Sequence, residues 1–142
     1  MEARISIITL GVRDLERSFH FYHDGLGLPT QSKLEDGIVF FQTSGTRLAL
    51  YPLAKLAEDI SPALSANRTR FHGITLSHNT RSREEVDQVL QSAKDAGGVI
   101  VKQAQEVFWG GYSGYFTDPD GYFWEVAWAE SWLFNPDGSL VV

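Results

Sequence analysis

At 142 residues, 43% hydrophobic and 21% charged, the chain has the length of one domain or two small fused halves and the balance of a soluble globular protein. A net charge of −6 and a pI of about 5.1 weigh against a nucleic-acid partner, and no apolar run approaches a membrane span. Cysteine is absent, which excludes disulfides, thiolate metal sites and Cys nucleophiles; the N-terminal MEARISII lacks a signal-peptide pattern, so a cytoplasmic protein is expected.

Residues 5–12, ISIITLGV, predict a first strand. Asp14 is placed to cap a helix carrying Leu15, Phe19 and Tyr22 on one face, and Gly25 and Gly27 end it. Three short strands are expected at about 31–35, 38–43 and 46–51, with Asp36-Gly37 and Ser44-Gly45 as two-residue hairpin turns. Residues 52–70, containing Pro52 and Pro62, read as a linker with helical turns around Leu53–Glu58.

The order then repeats. Residues 72–78, HGITLSH, predict a strand, and Ser82 with Glu85 has capping-box spacing. Val86, Val89, Leu90 and Ala93 recur at helical spacing until Gly97-Gly98 stops the helix. Strands are expected at about 99–102, 112–117 and 122–128, so each half is βαβββ. The repeat is also visible in letters: Ile7-Ile8-Thr9-Leu10 matches Gly73-Ile74-Thr75-Leu76, and Leu48-Ala49-Leu50-Tyr51 matches Glu125-Val126-Ala127-Trp128. The expected architecture is a single α+β domain over residues 1–142. Its modules span 1–51 and 71–128, the linker 52–70, and the C-terminal tail 129–142. The tail carries Trp132-Leu133-Phe134, and its exposure would make an apolar patch suited to a homodimer contact.

Two stretches stand out chemically. In 116–128, FTDPDGYFWEVAW, the turn residues Asp118, Pro119, Asp120 and Gly121 precede an apolar, aromatic strand holding one carboxylate, Glu125. Alternation puts Phe123 and Ala127 on its face and turns Trp124, Val126 and Trp128 the other way. Hairpin pairing is expected to set Phe116 beside Phe123, and Phe41 beside Leu48. In 107–116, VFWGGYSGYF, glycines and aromatics suit either a loop closing over a planar ligand or core packing around a bulge. Trp109, next to Gly110-Gly111, is the ligand candidate there, while Tyr115 and Phe116 fit a packed strand.

VRDLERSFHFYHDGLGL in the first half and DPDGYFWEV in the second, on a duplicated βαβββ pattern, resemble the vicinal oxygen chelate superfamily, home of glyoxalases, bleomycin-resistance proteins and extradiol dioxygenases. The resemblance covers nearly the whole chain except the tail. It implies two tandem βαβββ modules whose mixed sheets curl into a cup, with a divalent metal at its centre in the catalytic members. The family's ligand positions fall here on Ile7, Leu48, Gly73 and Glu125, which are expected to converge on one cavity. Only Glu125 matches a ligand: Ile7 and Gly73 stand where histidines are usual, and Leu48 has no donor atom. One carboxylate cannot replace the roughly three donors that a catalytic divalent ion needs, so no metal or other cofactor is expected. Alternation turns His72 away from the cup and His78 with it, and His20 and His23 share a helical side; each histidine reads as solvated or satisfied by neighbours.

Glu125 then has two open readings. It is a polar anchor or general base in an apolar cup, or an inherited carboxylate held by neighbours such as Thr9 and Thr75. The expected ligand-binding set is Ile7, Thr9, Phe41, Leu48, Gly73, Thr75, Trp109, Phe123 and Glu125. The leading function is metal-free binding of a small aromatic or amphipathic molecule. The alternatives are a metal-dependent lyase, isomerase or dioxygenase using Glu125, and a metal-free acid–base enzyme in which Glu125 is the catalytic residue.

Overall fold

The computed structural model describes residues 7–60, 74–108 and 110–141. The chain divides into two compact units, residues 1–69 and 70–142. Among the described residues no helix is long and apolar enough to cross a membrane.

In the first unit, β1 (Ile7–Val12) leads into α1 (Leu15–His20). The Asp14 carboxylate caps the helix by accepting from the Arg17 N–H at 3.0 Å, as its position before the apolar periodicity predicts. The chain then widens into a π-type turn, Phe21–Gly25, with the Leu26 N–H reaching the Phe21 carbonyl at 3.0 Å. That widening brings Phe21 inward beside Tyr22, so the buried side of this segment is Ser18, Phe21 and Tyr22, and the expected Leu15 and Phe19 are only half-buried. β2 (Val39–Phe41) pairs antiparallel with β3 (Arg47–Pro52), which pairs parallel with β1, in the order β1-β3-β2.

The strand expected at 31–35 shrinks to a single bridge between Thr30 and Phe41. Hydroxyls replace the ladder: Thr30 Oγ1 donates to the Phe40 carbonyl at 2.7 Å, and the Phe40 N–H donates to Ser32 Oγ at 3.0 Å. Side chains that bond backbone groups this way compete with a regular strand. Leu34–Asp36 instead forms one 3₁₀ turn, ended by Gly37 at φ +74°. Ser44-Gly45 lies inside a longer connection, 42–46, rather than forming a two-residue turn.

Within the expected linker, Leu53–Ile60 is a helix, α2, packed on β1 and β3, and so is part of the first unit. Leu53 and Leu56 lie over Gly11 so closely that a Cβ there would meet Leu53 Cδ1 at 2.6 Å.

The second unit is a complete βαβββ: β4 (Thr75–Asn79), α3 (Arg83–Asp95), β5 (Val99–Glu106), β6 (Gly111–Thr117) and β7 (Phe123–Ala129), in the order β4-β7-β6-β5. Ser82 caps α3 by accepting from the Glu85 N–H, and Glu85 reaches back to the Arg81 N–H at 2.7 Å. The helix ends in a Schellman arrangement, with Gly98 N–H to the Ala93 carbonyl at 2.8 Å and Gly97 N–H to that of Lys94 at 3.1 Å. Val86, Leu90 and Ala93 are buried against the sheet, each large apolar group contributing about 1.5–3 kcal/mol.

The tail is not free. Residues 133–141 form a small hairpin of β8 (Leu133–Phe134) and β9 (Leu140–Val141). The Arg81 guanidinium stacks over Phe134 at 4.8 Å, and Arg83 lies 4.9 Å over Trp128 while pairing with Glu106. Trp132 and Phe134 are half-buried and Leu133 alone of the three is exposed, so the pair expected to be exposed in a free tail is partly covered.

Gly114 is the tightest point of the second sheet. A Cβ there would meet Leu90 Cδ1 at 2.6 Å, the Ala104 nitrogen at 2.9 Å and the Lys102 carbonyl oxygen at 2.9 Å, where β5 shifts register against β6. Two of these atoms are backbone and cannot swing aside. Gly114→Ala is expected to cost about 1–3 kcal/mol by overpacking. Chemical denaturation of the purified variant measures this, with an unchanged midpoint as the contrary result.

Candidate functional site

The parallel pairing of first and last strands decides which side chains share a face, because residues directly opposite point the same way. In the second unit Thr75 lies opposite Phe123 and Ser77 opposite Glu125. On the other side of β7, Tyr115 lies opposite Glu125 and Thr117 opposite Phe123. These residues form the face turned away from α3. The α3-facing side holds Phe116 and Val126, both buried, with Phe116 stacked on Trp124 at 6.1 Å between ring centroids.

The register follows from the turn. Asp118 N–H donates to the Tyr122 carbonyl at 3.0 Å, and Gly121 N–H to that of Asp118 at 3.0 Å, with Gly121 at φ +87°. Pro119, Asp120 and Gly121 therefore make a three-residue loop, a type I turn followed by a left-handed residue, rather than a two-residue one. The buried Asp118 carboxylate fixes it by accepting from the N–H groups of Asp120 and Tyr122 at 2.9 and 2.8 Å. The extra residue moves the pairing by one: Phe116 meets Trp124, not the expected Phe123, and Tyr115 joins the face of Glu125.

Tyr115 is a neighbour of Glu125 that sequence reasoning missed by assigning it to packing. Burial, then hydrogen bonding to Glu125 and the carboxylate's charge, push its phenol up to about 12, so it stays protonated at neutral pH. The Lys102 ammonium stands over the Tyr115 ring, 5.9 Å from its centroid. The signal was present in the sequence: a Gly in the fourth position of Asp-Pro-Asp-Gly suits a three-residue loop, and that count alone brings Tyr115 opposite Glu125.

In the first unit Ile7 lies opposite Arg47, Ile8 opposite Leu48, Thr9 opposite Ala49 and Gly11 opposite Tyr51. Leu48 therefore points to the side opposite Ile7. So does Phe41, its antiparallel partner. Both are buried in the core with Leu10 and Leu50, where Tyr22 packs on Phe41 at 5.8 Å. The expected convergence of Ile7 and Leu48 fails because a register difference of one residue reverses every side chain. Phe41 leaves the expected ligand-binding face with Leu48. Thr9 does lie on the face of Ile7, as Thr75 and Phe123 lie on that of Glu125. Ser77 is 66 residues after Gly11, the same offset as the ITL repeat, so the residue equivalent to Glu125 is Tyr51. The letter match of Leu48 with Glu125 was displaced by three positions. Gly73, His72 and Trp109 lie outside the described residues. Val107 N–H bonds the Gly111 carbonyl at 2.9 Å, closing the β5–β6 hairpin.

The remaining histidines have local explanations. His20 Nδ1 contacts Asp24 and His23 Nδ1 contacts the Leu28 carbonyl at 2.9 Å. His78 pairs with Val126 on the side away from Glu125. It remains solvent-accessible, yet neighbouring chain desolvates its ring enough to lower its pKa, with Glu85 opposing.

A model of the Glyoxalase/Bleomycin resistance protein/Dioxygenase superfamily matches residues 4–126, and the chain belongs to this superfamily. A glyoxalase-related enzyme from Fulvimarina pelagi is 34% identical, with a TM-score of 0.88 over 99% of this chain and 98% of that one. A glyoxalase/bleomycin resistance protein/dioxygenase from Nocardioides is 26% identical, with a TM-score of 0.73 over 92% and 87% of the two chains. A lactoylglutathione lyase from Agrobacterium tumefaciens shares the fold at 23% identity and a TM-score of 0.69, over 95% of this chain and all of that one (100%).

Among the described residues, neither unit gathers donors that fit the divalent ion of catalytic family members. Glu125 has Tyr115, Ser77, Thr75 and Phe123 around it on its sheet face, with no second carboxylate or imidazole there among the described residues. The equivalent positions in the first unit are Ile7 and Tyr51. Among the described residues no three His, Asp or Glu side chains gather in a metal-binding group.

The Tyr115–Glu125 contact has a pH signature. A phenol raised from 10 to about 12 favours the folded state below pH 10, and that contribution fades as pH climbs toward 12. Ultraviolet titration of wild type minus Tyr115→Phe is expected to show one tyrosine ionising near 12. Glu125→Gln, which removes the negative charge, is expected to lower that midpoint only in part, because burial, the larger cause, remains. A midpoint near 10 in the wild type would refute the contact.

Proposed function

We propose that this superfamily member binds a small aromatic or amphipathic molecule without a metal, and that Glu125 is its polar anchor. The observation supporting this reading is the company of Glu125: a protonated Tyr115 hydroxyl on one side, Ser77 across the strand on the other, Phe123 two residues before it. A carboxylate oriented by a neutral donor keeps lone pairs for an N–H, O–H or cationic group of a ligand, and the aromatic ring below supplies apolar contact. Tyr115 acts here as a positioning residue. Binding then draws on burial of the ligand's apolar surface, with Glu125 selecting orientation.

A second reading, a metal-dependent lyase, isomerase or dioxygenase using Glu125, draws on the Fulvimarina pelagi relative, which is described as a glyoxalase-related enzyme. Metal analysis separates the two. Protein purified without chelators is expected to carry zinc, nickel and iron only at background, in wild type and Glu125→Gln alike. Glu125→Gln is expected to weaken binding of a cationic aromatic dye by roughly tenfold, the scale of one hydrogen bond to a charged group. Stoichiometric metal in the wild type that is lost in Glu125→Gln would overturn the metal-free reading and establish the second.

A further inference from the structure

The first unit carries an open hollow of about 440 Å³ lined by Gln31, Ser32, Asp36, Phe40, Gln42 and Arg47. It lies at the β2 edge, where the missing strand leaves room. Register places Phe40 opposite Ala49 on the face of Ile7 and Thr9, and Arg47 opposite Ile7 on that same face. Phe40 is held in place by its own backbone, whose carbonyl and N–H are taken by Thr30 and Ser32. Its ring is nevertheless 38% exposed, and neighbouring Ile7 is 48% exposed. Arg47 is exposed, and among the described residues no carboxylate pairs with it. An aromatic platform and a guanidinium that no described carboxylate pairs therefore line the same hollow, together with two amide side chains.

We infer that this hollow is a binding site for an aromatic anion, its ring against Phe40 and its carboxylate or sulfonate on Arg47. This goes beyond the Glu125 reading, which concerns a face of the second unit. Guanidinium recognises such groups through paired N–H donors in a planar fork, and the Phe40 and Ile7 surfaces bury the ring. Gln31 and Gln42 offer amide N–H groups to the same anion or to ring substituents. The one carboxylate of the rim, Asp36, is engaged by the Lys33 N–H at 2.9 Å, and it forms no ion pair with Arg47. Its charge steers the anionic end toward Arg47.

Two fluorescent probes of nearly the same shape test the site: anilinonaphthalene sulfonate, which is anionic, and phenylnaphthylamine, which is neutral. Wild-type protein is expected to bind the anionic probe at one site per chain and roughly tenfold more tightly than the neutral one. Arg47→Gln is expected to abolish that preference and leave the neutral probe unchanged. Phe40→Ser is expected to weaken both, and Lys94→Gln, which removes one positive charge on α3, to change neither. Arg47 is exposed, so its variant is expected to keep the wild-type melting temperature. Saturable binding of the neutral probe with no effect of Arg47→Gln on the anionic one would overturn the anion site and leave the metal-free binding reading standing. Failure of both probes to saturate on the wild type would overturn the site, while the Glu125 reading stands or falls on the cationic dye and the metal analysis.

Discussion

Parallel pairing between the first and last strand of each unit is the constraint on which the candidate site depends. β1 with β3, and β4 with β7, run side by side in strict register, so every residue's face is fixed by its partner. In each unit one face is closed by a helix: Phe21, Tyr22 and Phe41 in the first, Val86, Leu90 and Phe116 in the second. Those buried faces set the register, because slipping either strand by one residue would expose them. The opposite faces, bearing Ile7, Phe40 and Arg47 in one unit and Tyr115, Phe123 and Glu125 in the other, take the positions that the cores leave to them.

The two units solve the same edge differently. The second completes four strands and lengthens β5 through two register shifts, which fold its backbone over Gly114. The first replaces its fourth strand by Thr30 and Ser32, whose hydroxyls satisfy Phe40. This keeps the edge from presenting unpaired backbone groups, a general hazard of edge strands, and it opens the hollow beside Phe40. The divergence of the repeats is therefore local, confined to a few hydrogen-bonding side chains, while the parallel pair is retained.

Chemically, Glu125 is the one carboxylate on its sheet face among the described residues, and its neighbours there are not metal donors of the usual kind. Ile7 and Tyr51 occupy related positions in the first unit without adding a carboxylate or an imidazole. On its own face Glu125 has a phenol, hydroxyls and a phenylalanine. A neutral donor beside a carboxylate orients it for hydrogen bonding, whereas a metal centre needs several anionic or imidazole donors directed at one point.

The duplicated strand–helix order, the Asp14 and Ser82 caps, the Gly97-Gly98 stop and the singular carboxylate at Glu125 were all legible in the sequence, since each rests on a local pattern of a few residues. The superfamily itself was legible from two motifs on that repeat. The strand at 31–35 was not, because Thr30 and Ser32 turn their hydroxyls to the backbone, a choice decided by the geometry of a neighbouring strand. The pairing of Tyr115 with Glu125 was carried only by the residue count of the Asp118 turn, one residue longer than the pairing of Phe116 with Phe123 assumes. Leu48 shows the same limit: its letters matched Glu125, yet the β1–β3 register buries it and gives the equivalent place to Tyr51. Alternation along a strand is a property of the sequence, but which parity faces inward is set only when two strands meet.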